Sequence, residues 1–317
     1  MHATRRDFLK TGIIATAAAL GTRALGAAEE PRWRVGLGLN GFMSSARVFH
    51  KAYALDDVLD FARREQFEGV ELVEGWPRGG YPSSSDARAI ASLKRPYEER
   101  GLRIYSFQNG GAGAYAADPA VRKAWLGTFR DRVRLAEALG CAFMGHWPGG
   151  NLAGNADVSQ AIDNLASSYR EAASMCADAG MHLSFEIEPP FVFNTLEHLQ
   201  RIIEKTGHPA CKTNYDPSHF DLMSGSRGKP EEMLRTLGVK HIGHVHLTDT
   251  DGTIFEGTSK HLPCGEGHCD IAASLKTLWD GGYQGWIMID AWTTEDACHA
   301  SLSGKKAVDA FLKTAGA

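Results

Sequence analysis

From residue 34 onward, short β-rich apolar runs alternate with longer stretches whose apolar positions recur every three or four residues. The short runs are RVGLGLN (34–40), GVELV (69–73), LRIYSF (102–107), CAFMGH (141–146), HLSFEIE (182–188), CKTNYD (211–216), HIGHVHL (241–247) and GWIMID (285–290). Between them lie amphipathic patterns such as ALDDVLDFARREQ, ARAIASLKRPYEERG, VRKAWLGTFRDRVRLAEALG, AIDNLASSYREAASMCADAG and LEHLQRIIEKTG, and a last helix is predicted over 297–314. Several end in glycine just before the next run, as helix C-termini prefer. Eight strand and helix pairs over residues 29–317 predict a single α/β domain, a parallel (β/α)8 barrel. The principal alternative, an open doubly wound sheet, calls for a G-x-G-x-x-G turn after the first strand, and GLGLNGF lacks that spacing.

Such a barrel carries its chemistry at the C-terminal ends of its strands. Polar residues collect there: Asn40, Glu71, Glu74, Gln108, His146, Glu186, Glu188, Asp216, His219, His244, His246 and Asp290. One of these at one strand end reads as a hydrogen-bonded terminus. Repeated around a barrel, they converge on one opening, where carboxylates repel unless a cation holds them. Glu186, Asp216, His246 and Asp290, one from each of the fifth to eighth strands, offer three oxygens and a nitrogen. That set suits one divalent ion, Mn2+, Mg2+ or Co2+, with Zn2+ also compatible. Glu186 and Glu188 lie two apart and share a face, as do His244 and His246. Trp76, Phe107, Trp147 and Trp292 fall just past strand ends, where aromatic faces suit the C–H faces of a sugar, although a tryptophan by itself also serves as a loop anchor. The loop GTSKHLPCGEGHCDI brings His261, Glu266 and His268 over the same opening as a substrate-side lid.

The N-terminus changes the picture of where this chemistry happens. TRRDFLKTGIIATAAALGTRALGAAEE has a charged start, an apolar stretch from Gly12 to Leu20 and small residues at a cleavage point. Residues 4–10 resemble a twin-arginine signal, which implies export of an already folded protein to the periplasm or beyond. Residues 1–28 are therefore set apart from the barrel. Their removal takes away four basic residues and one acid, moving the formal charge from −4 to −7. An acidic chain without a Lys/Arg block argues against a nucleic-acid partner. No apolar stretch after the signal is long enough to cross a bilayer, so no membrane partner is expected once it is cleaved. Six cysteines (141, 176, 211, 264, 269 and 298) lie in the remaining chain; Cys141 and Cys211 open apolar runs and read as buried thiols, and spacing selects no disulfide pair.

LSFEIEPP, NYDPSHF, HIGHVHLTD, PCGEGHCD and GWIMID, in this order, resemble the xylose isomerase-like TIM barrel superfamily of sugar and sugar-phosphate isomerases and epimerases, which also contains endonucleases. The resemblance runs over essentially the whole chain after the signal. It implies that Glu186, Asp216, His246 and Asp290 hold one metal, with Asp290 standing where a glutamate is usual. That glutamate also serves as a base in the epimerases, so two-base exchange at carbon three is in question here. The resemblance further implies His219 as a substrate-side histidine. Glu188, His146, Trp147 and His261 are expected around the substrate, and Asp249 as the acceptor that orients a ligating histidine.

A divalent ion on adjacent oxygens of a hydroxy-ketone acidifies the carbon between them and stabilises the enediolate formed when a carboxylate removes its proton. The expected activity is isomerisation or epimerisation of a non-phosphorylated sugar or keto-sugar, with Glu186, Asp290 and His219 in catalytic roles. Two alternatives stand beside it. The first is a metal-dependent lyase or hydrolase of keto-glycosides, where the same intermediate expels a glycosidic oxygen; the second is a non-catalytic carbohydrate-binding barrel. A nuclease is the weakest reading, because of the negative charge. Substrate, metal identity and oligomeric state are left open by the sequence.

Overall fold

Each of the eight apolar runs forms a strand. The computed structural model describes residues 33–77, 79–223 and 228–316; the predicted export signal over 1–28 lies outside the described residues. The strands are β1 (Trp33–Gly38), β2 (Gly69–Leu72), β3 (Arg103–Gly110), β4 (Phe143–Trp147), β5 (His182–Phe185), β6 (Cys211–Tyr215) and β7 (Ile242–Leu247), then the short pair β8 (Ile254–Phe255) and β9 (Thr258–Ser259), then β10 (Gly285–Ile289). β1 pairs in parallel with both β2 and β10, and the remaining neighbours follow chain order, so the sheet closes into an eight-stranded barrel. β8 and β9 form a separate antiparallel hairpin that the sequence pattern did not predict.

The helices begin and end where local chemistry dictates. Asp157, Thr195, Asp270 and Asp296 each accept a backbone N–H from the first turn of the following helix, which satisfies a donor that would otherwise lack a partner. Helices Pro119–Leu139 and Leu196–Thr206 stop at Gly140 and Gly207, both left-handed. Apolar side chains on the outer faces of the strands meet the helices in one continuous core, including Leu37, Val70, Met144, Leu183 and Val245. No helix among the described residues is long and apolar enough to cross a membrane.

Inside the barrel a second cluster, Tyr105, Phe143, Trp286 and Met288, fills the lower end. Tyr105 and Trp286 stack at 3.9 Å with their planes 6° apart. The first strand must yield to them: a Cβ on Gly36 would lie 2.3 Å from the Tyr105 hydroxyl oxygen.

Two irregularities set which side chains face inward. Between β2 and β3 the pairing steps from Val70–Ile104 to Glu71–Ser106, leaving Tyr105 as an extra residue. Between β6 and β7 it steps from Thr213–Ile242 to Asn214–His244, passing over Gly243. A bulge changes the parity of every later residue in its strand. Beyond Tyr105, Phe107 therefore points into the outer core and Gln108 into the barrel.

All six cysteines are free thiols; Cys141, Cys176 and Cys211 are buried, as the apolar context of the first and third predicts.

Candidate active site

The upper end of the barrel opens into a cavity of about 510 Å3. Its floor is built from the last inward residues of consecutive strands. Period-two alternation carries Ser184 and Glu186 inward while Leu183 and Phe185 join the outer core. β5 itself ends at Phe185, so Glu186 and Glu188 stand just past the strand, and both line the cavity. Asp216 follows β6, and its Oδ1 accepts from the backbone N–H and hydroxyl of Ser218, both at 2.7 Å. Asp290 follows β10, and its Oδ1 accepts from Asn40 Nδ2 at 3.0 Å and from the backbone N–H of Trp292 at 2.8 Å.

His246 sits at the centre. Its Nδ1 lies 2.9 Å from Glu186 Oε1 and 3.6 Å from Asp290 Oδ2. One ligand atom each from Glu186, Asp216 and His246 falls within 4.8 Å of the others. Glu186 Oε1, Asp216 Oδ2 and His246 Nδ1 are buried and, apart from the ion-pair approaches of Nδ1 to Oε1 and of His261 to Asp216, make no hydrogen bond among the described residues. Buried polar atoms in native proteins nearly always have partners, so three without one, aimed at a common point, fit a cation. Two carboxylate oxygens and an imidazole nitrogen, with Asp290 Oδ2 beside them, are suitable donors for a divalent ion.

The far side of the His246 ring is held too. Nε2 lies 3.3 Å from Glu71 Oε1, and within 3.3 Å of the side-chain amides of Gln108 and Asn214. Glu71, buried on β2, stood among the strand-end groups in the sequence but had no assigned role. Its signal was a carboxylate in the middle of an otherwise apolar run, Val70-Glu71-Leu72. A histidine ligand with a carboxylate behind it is the usual way to fix ring orientation and tautomer.

Considering protein groups alone, burial opposes charge at every one of these positions, and the partners decide the outcome. Burial would lower His246, but Glu186 and Glu71 carry it well above the ordinary imidazole value. Burial would raise Glu186 and Asp216; the histidine charges nearby bring both below the usual carboxylate range. Glu188 is raised, chiefly by burial. His261 reaches about 9 against its burial, because of Asp216 and Asp290. His244, lower in the barrel, is held well below its ordinary value by burial and then by His246.

His219 and His261 stand on the other side of Asp216. His219 Nε2 is 3.1 Å from Glu188 Oε2, and His261 Nε2 is 3.4 Å from Asp216 Oδ2. The β8–β9 hairpin reaches in to hold them: the Thr258 hydroxyl donates to Glu188, and Ser259 Oγ lies 2.7 Å from His219 Nδ1. Thr258 and Ser259 were not singled out in the sequence, since nothing in GTIFEGTS predicts a hairpin.

Trp147 and Trp292 line the cavity with Phe191 and Met43, and Trp147 meets Phe191 edge to face at 5.1 Å. The lining includes Glu74, Glu186, Glu188, Glu256 and Asp290 and, among the described residues, no lysine or arginine.

Six expected residues are elsewhere. His146 does not reach the cavity: strand alternation turns it outward, fully buried, with Nδ1 2.7 Å from the Tyr169 hydroxyl and its ring edge-on to Trp125. Burial holds it neutral, lowered to about 3. Phe107 packs on Tyr81, and Trp76 stacks on Phe42. Of the three lid-loop residues singled out in the sequence, only His261 enters the site; Glu266 binds His299 and His268 binds Asp221. Asp249 orients that loop and no histidine, because its carboxylate accepts backbone N–H groups from Thr250, Gly265, Gly267 and Cys269.

Residues 59–313 match the xylose isomerase-like TIM barrel family. Among curated proteins, the uncharacterized protein MJ1311 of Methanocaldococcus jannaschii is 29% identical over 143 residues, 44% of this chain and 47% of that one, so the match spans about half of its length. L-ribulose-5-phosphate 3-epimerase UlaE of Escherichia coli is 25% identical over 206 residues, 63% of this chain and 68% of that protein. Among solved structures, IolI with a bound zinc atom superposes with a TM-score of 0.70 at 15% identity, covering 89% of this chain and 98% of its own. With the barrel closed as described and the family match running from the second helix to the last, this chain belongs to the xylose isomerase-like TIM barrel family.

Proposed function

We propose that the protein is a divalent-metal-dependent isomerase or epimerase of a non-phosphorylated sugar or keto-sugar. The observation that carries this reading is the convergence of Glu186 Oε1, Asp216 Oδ2 and His246 Nδ1, all buried and without hydrogen-bond partners among the described residues. Glu186, Asp216, His246 and Asp290 would hold the ion. When bound, the ion supplies positive charge against the negative charge that develops on adjacent substrate oxygens. That UlaE is a sugar-phosphate epimerase and that IolI binds zinc are consistent with this chemistry.

The chain's own groups divide the remaining work. Glu186 is placed to take a proton from a carbon next to a carbonyl and return it, leaving an enediolate in between. His219 and Glu188 hold substrate hydroxyls, and Trp147 and Trp292 cover the apolar faces of the ring. A lining with five carboxylates and, among the described residues, no lysine or arginine favours a neutral substrate, since the side chains that usually clamp a phosphate are missing from it.

One observation favours the lyase reading as a second. Asp290 Oδ1 is committed to Asn40 and Trp292, so one oxygen of the carboxylate where the family usually has a glutamate is tied up, and a second base on that side is compromised. Elimination of a glycosidic oxygen needs one base and a leaving group, and a cavity of about 510 Å3 suits a ligand larger than a single hexose. The export reading of residues 1–28 fits a substrate met outside the cytoplasm.

The experiment is solvent-deuterium incorporation into neutral sugars and 3-keto-glycosides, with and without chelation. Metal-dependent exchange supports the proposal, and aglycone release with the keto-glycoside selects the lyase. Undiminished turnover after exhaustive chelation refutes the metal-dependent reading.

A further inference from the structure

Two serines decide which nitrogen of His219 carries its proton. Asp216 Oδ1 accepts the Ser218 hydroxyl at 2.7 Å, and it accepts the Ser218 backbone N–H as well. A carboxylate gives no proton back, so the one hydroxyl proton of Ser218 is committed. Ser218 Oγ lies 2.7 Å from Ser259 Oγ. In that pair Ser259 must donate. Its own single proton is thereby used, and its oxygen, 2.7 Å from His219 Nδ1, can only accept. His219 Nδ1 is left as the donor. Asp216, Ser218, His219 and Ser259 are all buried, so bulk water does not compete for these contacts.

Ser259 acts a second time through its backbone. Its carbonyl oxygen lies 2.9 Å from His261 Nδ1, and a carbonyl can only accept, so this ring also carries a proton on Nδ1.

We infer that Ser218 and Ser259 are positioning residues that hold neutral His219 in the Nδ1–H form, so that its Nε2 presents a lone pair at the cavity. That nitrogen lies 3.1 Å from Glu188 Oε2, whose own hydrogen bond comes from Thr258. Both residues line the cavity, and a substrate hydroxyl entering beside them can donate to Nε2. The opposite tautomer would satisfy Glu188 from within the protein and leave the hydroxyl without its acceptor. The relay follows from counting protons and stands whatever the reaction is; only its use by a sugar hydroxyl rests on the isomerase reading.

The test is long-range 1H–15N NMR on the full chain labelled with 15N-histidine, without added metal and at a pH where the His219 signals no longer move. His219→Asn assigns the signals. The expected wild-type pattern is a protonated Nδ1 and an unprotonated Nε2 at His219, and a protonated Nδ1 at His261. Ser218→Ala frees the Ser259 hydroxyl to donate, so the His219 signals shift toward the opposite tautomer although Ser218 has no hydrogen bond to the ring. Ser218→Thr restores the original pattern. His261, bonded to a carbonyl, keeps its pattern in every variant and reports that the fold is intact. Wild-type His219 with its proton on Nε2, or His219 signals unmoved by Ser218→Ala, overturns the relay; should the variant not fold, the wild-type pattern decides alone. The expected tautomers together with no metal-dependent turnover of any sugar would leave the relay standing and defeat only the proposed activity.

Discussion

Asn40 Nδ2 donates to Asp290 Oδ1 at 3.0 Å, tying the residues after the first strand to those after the last. The contact spends one of the two carboxylate oxygens, and the other faces His246 Nδ1 at 3.6 Å. Asn40 therefore sets the orientation in which Asp290 would meet the proposed cation. Asn40→Ala is expected to weaken metal affinity by about 10- to 100-fold, the usual effect of losing such a support. Competition against a chromophoric chelator measures it, and an unchanged affinity would show that the Trp292 amide suffices.

Glu71 is expected to support the metal site from the opposite side of His246. In Glu71→Gln the buried negative charge behind Nε2 is gone while the shape is kept, so the ring loses basicity. Metal affinity should fall by about 10-fold or more with little change in melting temperature measured in chelator. A large fall in melting temperature with unchanged metal affinity would instead make Glu71 a structural group.

Two histidines that do not line the cavity, His146 and the part-buried His182, predict acid sensitivity. Burial lowers His146 to about 3 and His182 to about 4, although the Gly243 carbonyl partly offsets the effect at His182. As pH falls below the ordinary imidazole value, the unfolded chain takes up protons that the native rings refuse, so stability is lost. The loss begins near pH 6.5 and continues to about 4 for His182 and about 3 for His146. The slope is at most about 1.4 kcal/mol per pH unit per histidine. Denaturant midpoints measured from pH 7 to 4 should show it, and His182→Gln should flatten it.

Asp249 predicts a local, not a catalytic, phenotype. Its carboxylate collects four backbone N–H groups, three of them from residues 265–269. Asp249→Ala leaves these without acceptors, at a cost of about 1–3 kcal/mol for each that stays buried. Hydrogen exchange should accelerate over residues 262–269 before any other segment. Protection unchanged in that segment would mean that the loop holds itself.

Neutral and phosphorylated forms of one sugar offer a further discrimination. Among the described residues, no lysine or arginine lines the cavity, while five carboxylates do. The phosphorylated form is expected to bind at least about 10-fold more weakly, a difference of about 1.4 kcal/mol. Tighter binding of the phosphorylated form in calorimetry would overturn the neutral-substrate reading.

The barrel was legible in the sequence because each buried parallel strand is a short apolar run closed by a helix pattern, and strand ends mark the mouth. Glu186, Asp216, His246 and Asp290 could be placed together on that basis before any coordinate was known. What escaped depends on parity and on partners far away in the chain. His146 ends an apolar run just as the others do, yet it stands on the outward side of β4, between Met144 and the helices. Phe107 would face the mouth in a regular strand; the bulge at Tyr105 gives that place to Gln108. The β8–β9 hairpin turns at Glu256 and Gly257, both at positive φ, and Glu-Gly lacks the Asn-Gly or Asp-Gly signature of such turns. Without the hairpin, the contacts of Thr258 and Ser259 with Glu188 and His219 could not be anticipated.

The stacked pair of Tyr105 and Trp286 has a kinetic consequence. With the lower end of the barrel filled by aromatic rings, the chamber opens at the upper end among the described residues, and what enters there leaves the same way. Product still in the chamber blocks the next substrate, so inhibition by product should be competitive. On the proposed reading, any bulky appendage on a sugar would trail outward into solvent, because aromatic side chains fill the far end of the barrel.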